Sequence, residues 1–463
     1  MGKSEETPYA FTGRSLEEWL QKIEQDLKGK KPLQVLYQQS PDKLTIAPAY
    51  HRENSQVRLQ PWKEQPKWDI AAEVVVDDAH QANKKALQAL EKGATSLFFY
   101  LRGTEDLSVL LKDIQLEYIC LNLVVAQQAH AVAEKLRQHL KALHINGQEL
   151  EGSLNFDPLE NMARTGQAFN TLEKDLHELQ ELPGKLPAGF RPHAINLPHF
   201  AHAGATLGQQ LGLALAMAYE YIHRLGLPSG EGFWVHFATG GDYFGEIAKY
   251  RALRRLWHQL LDELAFPQAE VRISAETGWR NKSILDPYNN MIRSTTEAMA
   301  AIIGGASEIC VKPFALFEGT HDAFGERIAL NQQHILEHES RLHYVRDMAQ
   351  GSYFLEEHTE DLARVGWQFF RAIEKQGGYV EALYSGWLQK EITNAAQEEQ
   401  EKFDQREKML IGVNKYQKED EALPDLKVEQ IKSPPAPTDT PYPALPVRRL
   451  AEDVEAERLS SAP

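Results

Sequence analysis

The chain has 463 residues, 42% hydrophobic and 25% charged, with a formal net charge of −16 at pH 7. That composition is ordinary for a globular protein with room for a large core. The negative charge argues against a nucleic-acid or anionic-membrane surface, since both need clustered Lys and Arg.

The two cysteines, Cys120 and Cys310, sit in apolar strand-like runs. This fits buried thiols in a reducing compartment and supplies neither a disulfide framework nor a cysteine metal site. The opening "MGKSEETPYAF" has no apolar leader core. No run approaches the roughly 18 apolar residues of a membrane span. A cytoplasmic location with no membrane span is expected.

Residues 1–65 read as an N-terminal arm. "SLEEWLQKIEQDLKGK" opens with Ser15 followed three residues later by Glu18, a capping box. Leu16, Trp19, Leu20, Ile23 and Leu27 then share one helical face. "LTIAPAYHREN" follows as an extended segment.

From Trp68 the pattern changes to short apolar runs: "DIAAEVVVD", "SLFFYLRG", "YICLNLVV", "GSLNFDP", "HAINLPHF", "FWVHFATGG", "VRISAETGW" and "SEICVKPF". Amphipathic helices separate most of them. In "AHQANKKALQALEKG", for example, Ala82, Ala86, Ala89 and Leu90 form the inner face and Gly93 ends the helix. Strands that are nearly continuously apolar and alternate with helices imply a parallel sheet covered by helices. Eight of them close a (β/α)₈ TIM barrel, an α/β fold, expected over residues 66–390. An open doubly wound sheet is the alternative, disfavoured because the dinucleotide-binding glycine fingerprint is missing. A helical segment is expected over 391–432. "SPPAPTDTPYPALP" is too rich in proline to pack and reads as an exposed linker, making 433–463 a Pro-rich tail.

Ligands of such barrels bind at the C-terminal strand ends. That makes His199, His202, His236, Asp242, Glu276, Trp279, Arg280, Lys312 and His321 the rim candidates. His199 and His202 lack a plausible third ligand, so no metal is expected there, and a metal-dependent hydrolase remains only as a rival reading. No Cys or elbow Ser lies beside a His/Asp pair, which argues against a nucleophilic triad. Glu276 and Asp242 come from adjacent strand ends and could face each other, although loop hydrogen bonding is the simpler role for them. "DPYNNMIRSTTEAMAAIIGG" reads as a helix with an Asp cap and a small-residue packing face.

Several long stretches resemble the methylmalonyl-CoA mutase family, in the family's order: "SLEEWLQKIEQDLKGK", "AGATLGQQLGLALAMAYEYI", "DYFGEIAKYRALRRLW", "TGWRNKSILDPYNNMIRSTTEAMAAIIGGASEI" and "GSYFLEE". The likeness runs from about Ser15 to "VRRLAE". It implies a barrel with an acyl-CoA along its axis, and an adenosylcobalamin radical that drives migration of a thioester. It also implies a separate C-terminal domain that ligates cobalt through Asp-x-His-x-x-Gly.

The sequence departs from the catalytic pattern in three places. No Asp-x-His-x-x-Gly occurs: "DLHELQ" lacks the Gly and "THDAFG" lacks the Asp. The sequence also stops where the family's cobalamin domain would begin. The residues before Pro61 and Trp62 are "NSQVRLQ", without the family's substrate-contacting tyrosine. At the fifth strand, His199 falls on the substrate-carbonyl histidine, but Pro198 replaces its Tyr neighbour and His202 replaces the Glu near the cofactor. At the seventh strand, Ile273 and Ala275 stand where the family has a substrate-contacting His and Gln.

The resemblance therefore implies the small, non-catalytic subunit of a heterodimeric mutase that interconverts (R)-methylmalonyl-CoA and succinyl-CoA. Adenosylcobalamin would belong to the assembled enzyme, and a large catalytic subunit would be the partner. In this reading His199 is a remnant, and His202, Glu276 and Trp279 are residual substrate-binding positions. Leu16, Trp19, Leu20 and Ile23 form the subunit interface. The alternative is an active acyl-CoA-binding mutase subunit served by a separate cobalamin chain.

Overall fold

The computed structural model describes residues 13–28, 32–51, 53–55, 67–103, 105–147, 150–315, 323–418 and 426–461. The stretch before Pro61 and Trp62 where a tyrosine was sought, and His321, lie largely outside them.

The expected strands form in the expected places. They are β1 Asp69–Val75, β2 Ser96–Leu101, β3 Cys120–Val125, β4 Glu151–Asn155, β6 Phe233–Thr239, β7 Arg272–Thr277 and β8 Glu308–Cys310. The fifth strand, β5, comes in two pieces, Phe190–Arg191 and His193–Asn196, with Pro192 between them. Proline has no N–H to give to a ladder, so pairing changes sides there. The first piece pairs back to β4 (Gly152 with Phe190) and the second pairs forward to β6 (His193 with Phe233). All neighbours in this sheet are parallel. β8 pairs with β1 through Ile309 and Ile70, so the sheet runs around a nearly closed (β/α)₈ barrel.

The reason is visible in β6, where all seven residues are buried. One set faces the covering helices and the other faces the axis, and no face is left for water. The helices obey their signals. Ser15 and Glu18 complete their capping box on Leu16–Asp26, and Thr206 and Gln209 do the same on Leu207–Leu225. Asp78 caps Ala79–Glu91, which buries Ala82 and Ala86. A departure occurs at Tyr288–Gly304, whose cap position is Pro287 rather than Asp286, the latter held at φ +46°.

The barrel axis is filled by side chains. Ala71, Phe98, Ala194, Trp234 and Cys310 form one buried cluster, with Tyr100 and Val124 packed against it. Toward the N-terminal ends lies a polar layer. Asn122 donates to Glu308 Oε1 (2.8 Å) and Ser153 donates to Asn122 (2.7 Å). Arg272 bridges Asp69 (2.5 Å) and Glu151 (3.2 Å) at the rim below.

C-terminal to the barrel, helices Tyr353–Lys375, Tyr379–Tyr384 and Trp387–Asp404 pack against it, the last running across the expected boundary at 390. The Pro-rich tail departs from the exposed linker expected of it. Residues 434, 435 and 437–439 are exposed, but Tyr442, Ala444 and Leu445 are buried. Leu450 and Ala451 then join Ile284, Leu285, Phe403, Leu410, Val413 and Ile431 in a second small core. Proline forbids a helix or an inner strand, yet it leaves an extended strap free to bury the apolar residues between the prolines.

Candidate functional site

The strap crosses the C-terminal mouth of the barrel, where the rim candidates gather. Leu445 N donates to Ala163 O (2.8 Å), Arg448 N to His202 O (3.3 Å) and Leu450 N to Arg280 O (3.0 Å). Arg280 returns two donations, to His202 O (3.1 Å) and Arg448 O (2.6 Å), while its Nε holds Glu399 (2.7 Å). Arg449 is 1% exposed and bonds Glu455 (2.8 Å) and Ile431 O (2.7 Å).

β5 ends at Asn196, Leu197 N is taken by His236 O (2.9 Å), and Pro198 opens the short helix Pro198–His202. Its missing N–H costs nothing at a first helical turn. His199 Nε2 lies 2.9 Å from Leu445 O. A carbonyl only accepts, so Nε2 carries the proton and donates it to the strap. Burial pushes the His199 imidazole down to about 4, against the Leu445 hydrogen bond, so the ring is neutral near pH 7. His202 has the opposite tautomer. Its Nε2 accepts the Trp279 N–H (3.4 Å), and its ring lies 4.5 Å from the Trp279 indole. Burial pushes it to about 3. With both rings committed to backbone groups, the pair has no shared metal geometry.

Glu276 is brought into a different group. Its Oε2 meets Lys312 Nζ (3.0 Å) and His236 Nε2 (3.3 Å), and Lys312 also pairs with Glu73. Burial alone would raise the Glu276 carboxyl, but Lys312 and His236 outweigh it and hold it well below the usual range. Burial would likewise lower the Lys312 ammonium, yet Glu276 and Glu73 push it well above its usual value. His236 is stacked on Trp234 (5.0 Å, 7°), and its Nδ1 reaches Ser274 (3.1 Å). Asp242, by contrast, is exposed and caps Tyr243–Glu263 through Gly245 N (3.1 Å). The two carboxylates therefore have separate structural uses.

Strand alternation corrects one expectation. Ser274 and Glu276 face the axis with His236, so Ile273 and Ala275 face the covering helices and are 0% exposed. The axis-facing residues of β7 are thus polar, although they are spent on ion pairing.

Beside the mouth lies a cleft of about 440 Å³, bordered by His202, Asp242, Arg280, Asn281, Arg293 and Lys408. The sequence reading missed Arg293, Glu399 and Lys408 at this cleft, and Glu73 in its ion pair with Lys312. Glu73, which interrupts the apolar run of β1, was the available signal for an inward charge. In the described residues, no helix is long and apolar enough to cross a membrane.

A nearly closed parallel barrel with a cluster of ionisable groups at its C-terminal strand ends is the framework of a barrel enzyme, here with its mouth strapped by its own tail. The family model described as Methylmalonyl-CoA mutase matches residues 99–435, and the chain belongs to that family. It is 30% identical over 445 residues to a protein of Porphyromonas gingivalis named methylmalonyl-CoA mutase small subunit, covering 90% of this chain and 72% of that one. The protein of the same name from Streptomyces virginiae is 34% identical over 382 residues, covering 80% of this chain and 61% of that one. A methylmalonyl-CoA mutase of Rhizobium meliloti is 29% identical, and this chain spans only 47% of its length. Among solved structures, the dihydropteroate synthase of Yersinia pestis aligns over 59% of this chain at 15% identity and a TM-score of 0.33, too slight a likeness to carry an argument.

Proposed function

We propose that this chain is the small, non-catalytic subunit of a heterodimeric methylmalonyl-CoA mutase. The assembly would interconvert (R)-methylmalonyl-CoA and succinyl-CoA, with the chemistry in a larger partner. The observation that carries this reading is the His199–Leu445 hydrogen bond. The imidazole at the substrate-carbonyl position has its proton pinned to the strap, so a thioester has no donor to meet. A general acid needs the reacting group within hydrogen-bond reach.

The residues present do not fit a cobalamin. The nearest match to the cobalt-ligating motif lies in helix Leu172–Glu181. There Asp175 accepts from Asn170 (3.0 Å), and His177, 71% exposed, pairs with Glu181 (3.5 Å). Neither forms a loop that presents an imidazole to a metal, so no step of this chain passes through that group. Adenosylcobalamin is assigned to the assembled enzyme.

The N-terminal helix is assigned to the subunit interface. Leu16, Leu20 and Ile23 are only half-buried and Trp19 is 37% exposed, although they form one apolar face. A cytoplasmic setting suits the free, buried thiols of Cys120 and Cys310.

A second reading, an acyl-CoA-binding subunit served by a separate cobalamin chain, has the 440 Å³ cleft with Arg280, Arg293 and Lys408 in its favour. One experiment separates the two. The chain is co-expressed with a large mutase subunit, the 1:1 complex is assayed, and this chain is titrated with succinyl-CoA by calorimetry. The subunit reading expects a complex and no acyl-CoA binding by this chain alone. Micromolar binding, or no complex, would reject it.

A further inference from the structure

Helix Ala323–His334 follows β8 and continues as a π-helical turn, Ile335–Glu339. Gln332 ties it to the neighbouring helix through Met291 O (2.6 Å) and Ser294 Oγ (3.0 Å). Within "HILEH", one ligand atom each from His334, Glu337 and His338 lies within 4.8 Å of the others. The rings of His334 and His338 are nearly parallel, 8° apart, with centroids 5.9 Å apart. His338 Nε2 is 3.6 Å from Glu337 Oε2.

The orientation of His334 is the second observation. Its Nε2 donates to the carbonyl of Lys92 (2.8 Å), in the loop between Ala79–Glu91 and β2. That bond fixes the tautomer and leaves Nδ1 as a lone-pair acceptor, and Nδ1 is buried without a hydrogen-bond partner. A backbone carbonyl that takes the far N–H of an imidazole is the usual device for aiming a metal-ligating histidine. The seat is also shaped for the ring. Gly93 has φ +91°, and a Cβ there would come within 2.7 Å of His334 Cε1. π-helical turns are rare and are frequently found at functional sites.

We propose that His334 Nδ1, Glu337 and His338 form a divalent-cation site, with zinc as the cation its two imidazoles and one carboxylate suit best and water completing the shell. The site stands apart from the mouth of the barrel and does not rest on the subunit reading. Bound there, the metal holds the π-turn against the Lys92–Gly93 loop and so ties the helix after β8 to the segment entering β2. Arg272 argues against the buried trio Asp69, Cys120 and Glu308 as a rival site, because its guanidinium already neutralises that group at Asp69 (2.5 Å) and Cys120 Sγ (3.4 Å). The proposed site runs against the sequence expectation of no metal, which weighed the two cysteines and the pair His199 and His202 but not this segment.

The test uses the untagged full chain, stripped with a chelator and titrated with zinc by calorimetry. One saturable equivalent with micromolar or tighter affinity is expected. His338→Ala and Glu337→Gln should each weaken it at least tenfold, with an unchanged far-UV spectrum. His334→Ala also removes the Lys92 hydrogen bond, so His338→Ala, which changes an exposed ring, carries the decision. Cobalt(II) in place of zinc should give the visible absorption of a low-coordinate N/O site, and this should vanish in His338→Ala. Absence of a saturable 1:1 site overturns the proposal. So does a site that His338→Ala leaves unchanged.

Discussion

His199 and Leu445 lie 246 residues apart in sequence, yet the imidazole donates to the carbonyl across 2.9 Å. The contact joins the end of β5 to the tail and decides how the mouth behaves. A ring held neutral by burial, with its Nε2 proton already donated, has only Nδ1 left to offer.

His199→Ala should therefore leave turnover of the assembled mutase within about twofold, because a true general acid would cost on the order of 10²–10⁴. The lost hydrogen bond should lower stability by about 1 kcal/mol. The measurement is turnover per assembled complex at saturating small subunit, with the matching histidine of the large subunit as control. A hundredfold loss would give His199 a chemical role.

Lys312→Met should destabilise the chain by about 3–5 kcal/mol, since half-buried Glu73 loses its cation and buried Glu276 keeps its His236 contact but loses its lysine. The pH dependence follows from the two directions. Glu276 is held below its ordinary 4.5, so its contribution is complete above that value and lost as pH falls beneath it. Lys312 is held above its ordinary 10.5, so its contribution is complete below that value and lost only at higher pH. In the variant the carboxyls no longer gain from ionising, so its deficit should shrink as the pH is lowered from 7 towards 4. Urea unfolding at several pH values would show this, and a deficit independent of pH would contradict it.

Arg449→Ala should cost a similar amount, about 3–5 kcal/mol, because Glu455 is 0% exposed and loses its cation. Limited proteolysis should then cut between residues 433 and 461 faster than in the wild type. An intact tail in the variant would mean that the strap is held by its apolar contacts alone.

Gly204→Ala probes the seat of the C-terminal helix on the rim. The position has φ +98°, and a Cβ would meet Ala396 Cβ at 2.5 Å. Left-handed strain of roughly 1–2 kcal/mol and overpacking of about 1–3 kcal/mol should add. A thermal melt with an unchanged midpoint would place helix Trp387–Asp404 elsewhere.

Leu20→Asp separates interface from core. The helix buries none of its residues within the chain, so the isolated variant should unfold within about 0.5 kcal/mol of wild type. Its affinity for the large subunit should fall at least tenfold if this face is the interface. Equal affinity would move the interface off the arm.

Local pattern was enough for the elements. Apolar runs bounded by polar helices placed the strands of the barrel, and Ser15 announced its helix because a cap acts within three residues of itself. The same locality hid the site. "SPPAPTDTPYPALP" shows proline at every glance, while the apolar residues Tyr442, Ala444 and Leu445 between the prolines were the quieter sign that the segment packs.

The sequence by itself determined that this is a parallel α/β barrel of the mutase family, since strand spacing, helix amphipathicity and ordered motifs are properties of neighbouring residues. Only the tertiary structure decided which residue of each strand faces the axis. Shifting the phase by one residue reverses every side chain, and strands buried on both faces carry no polar alternation to reveal it. That is how Ser274 and Glu276, rather than Ile273 and Ala275, came to line the interior. The tertiary structure also brought Arg280 to Arg448 and His199 to Leu445, pairs that no local period links, because the free energy that joins them comes from burying the strap's apolar residues against a mouth built from distant strands.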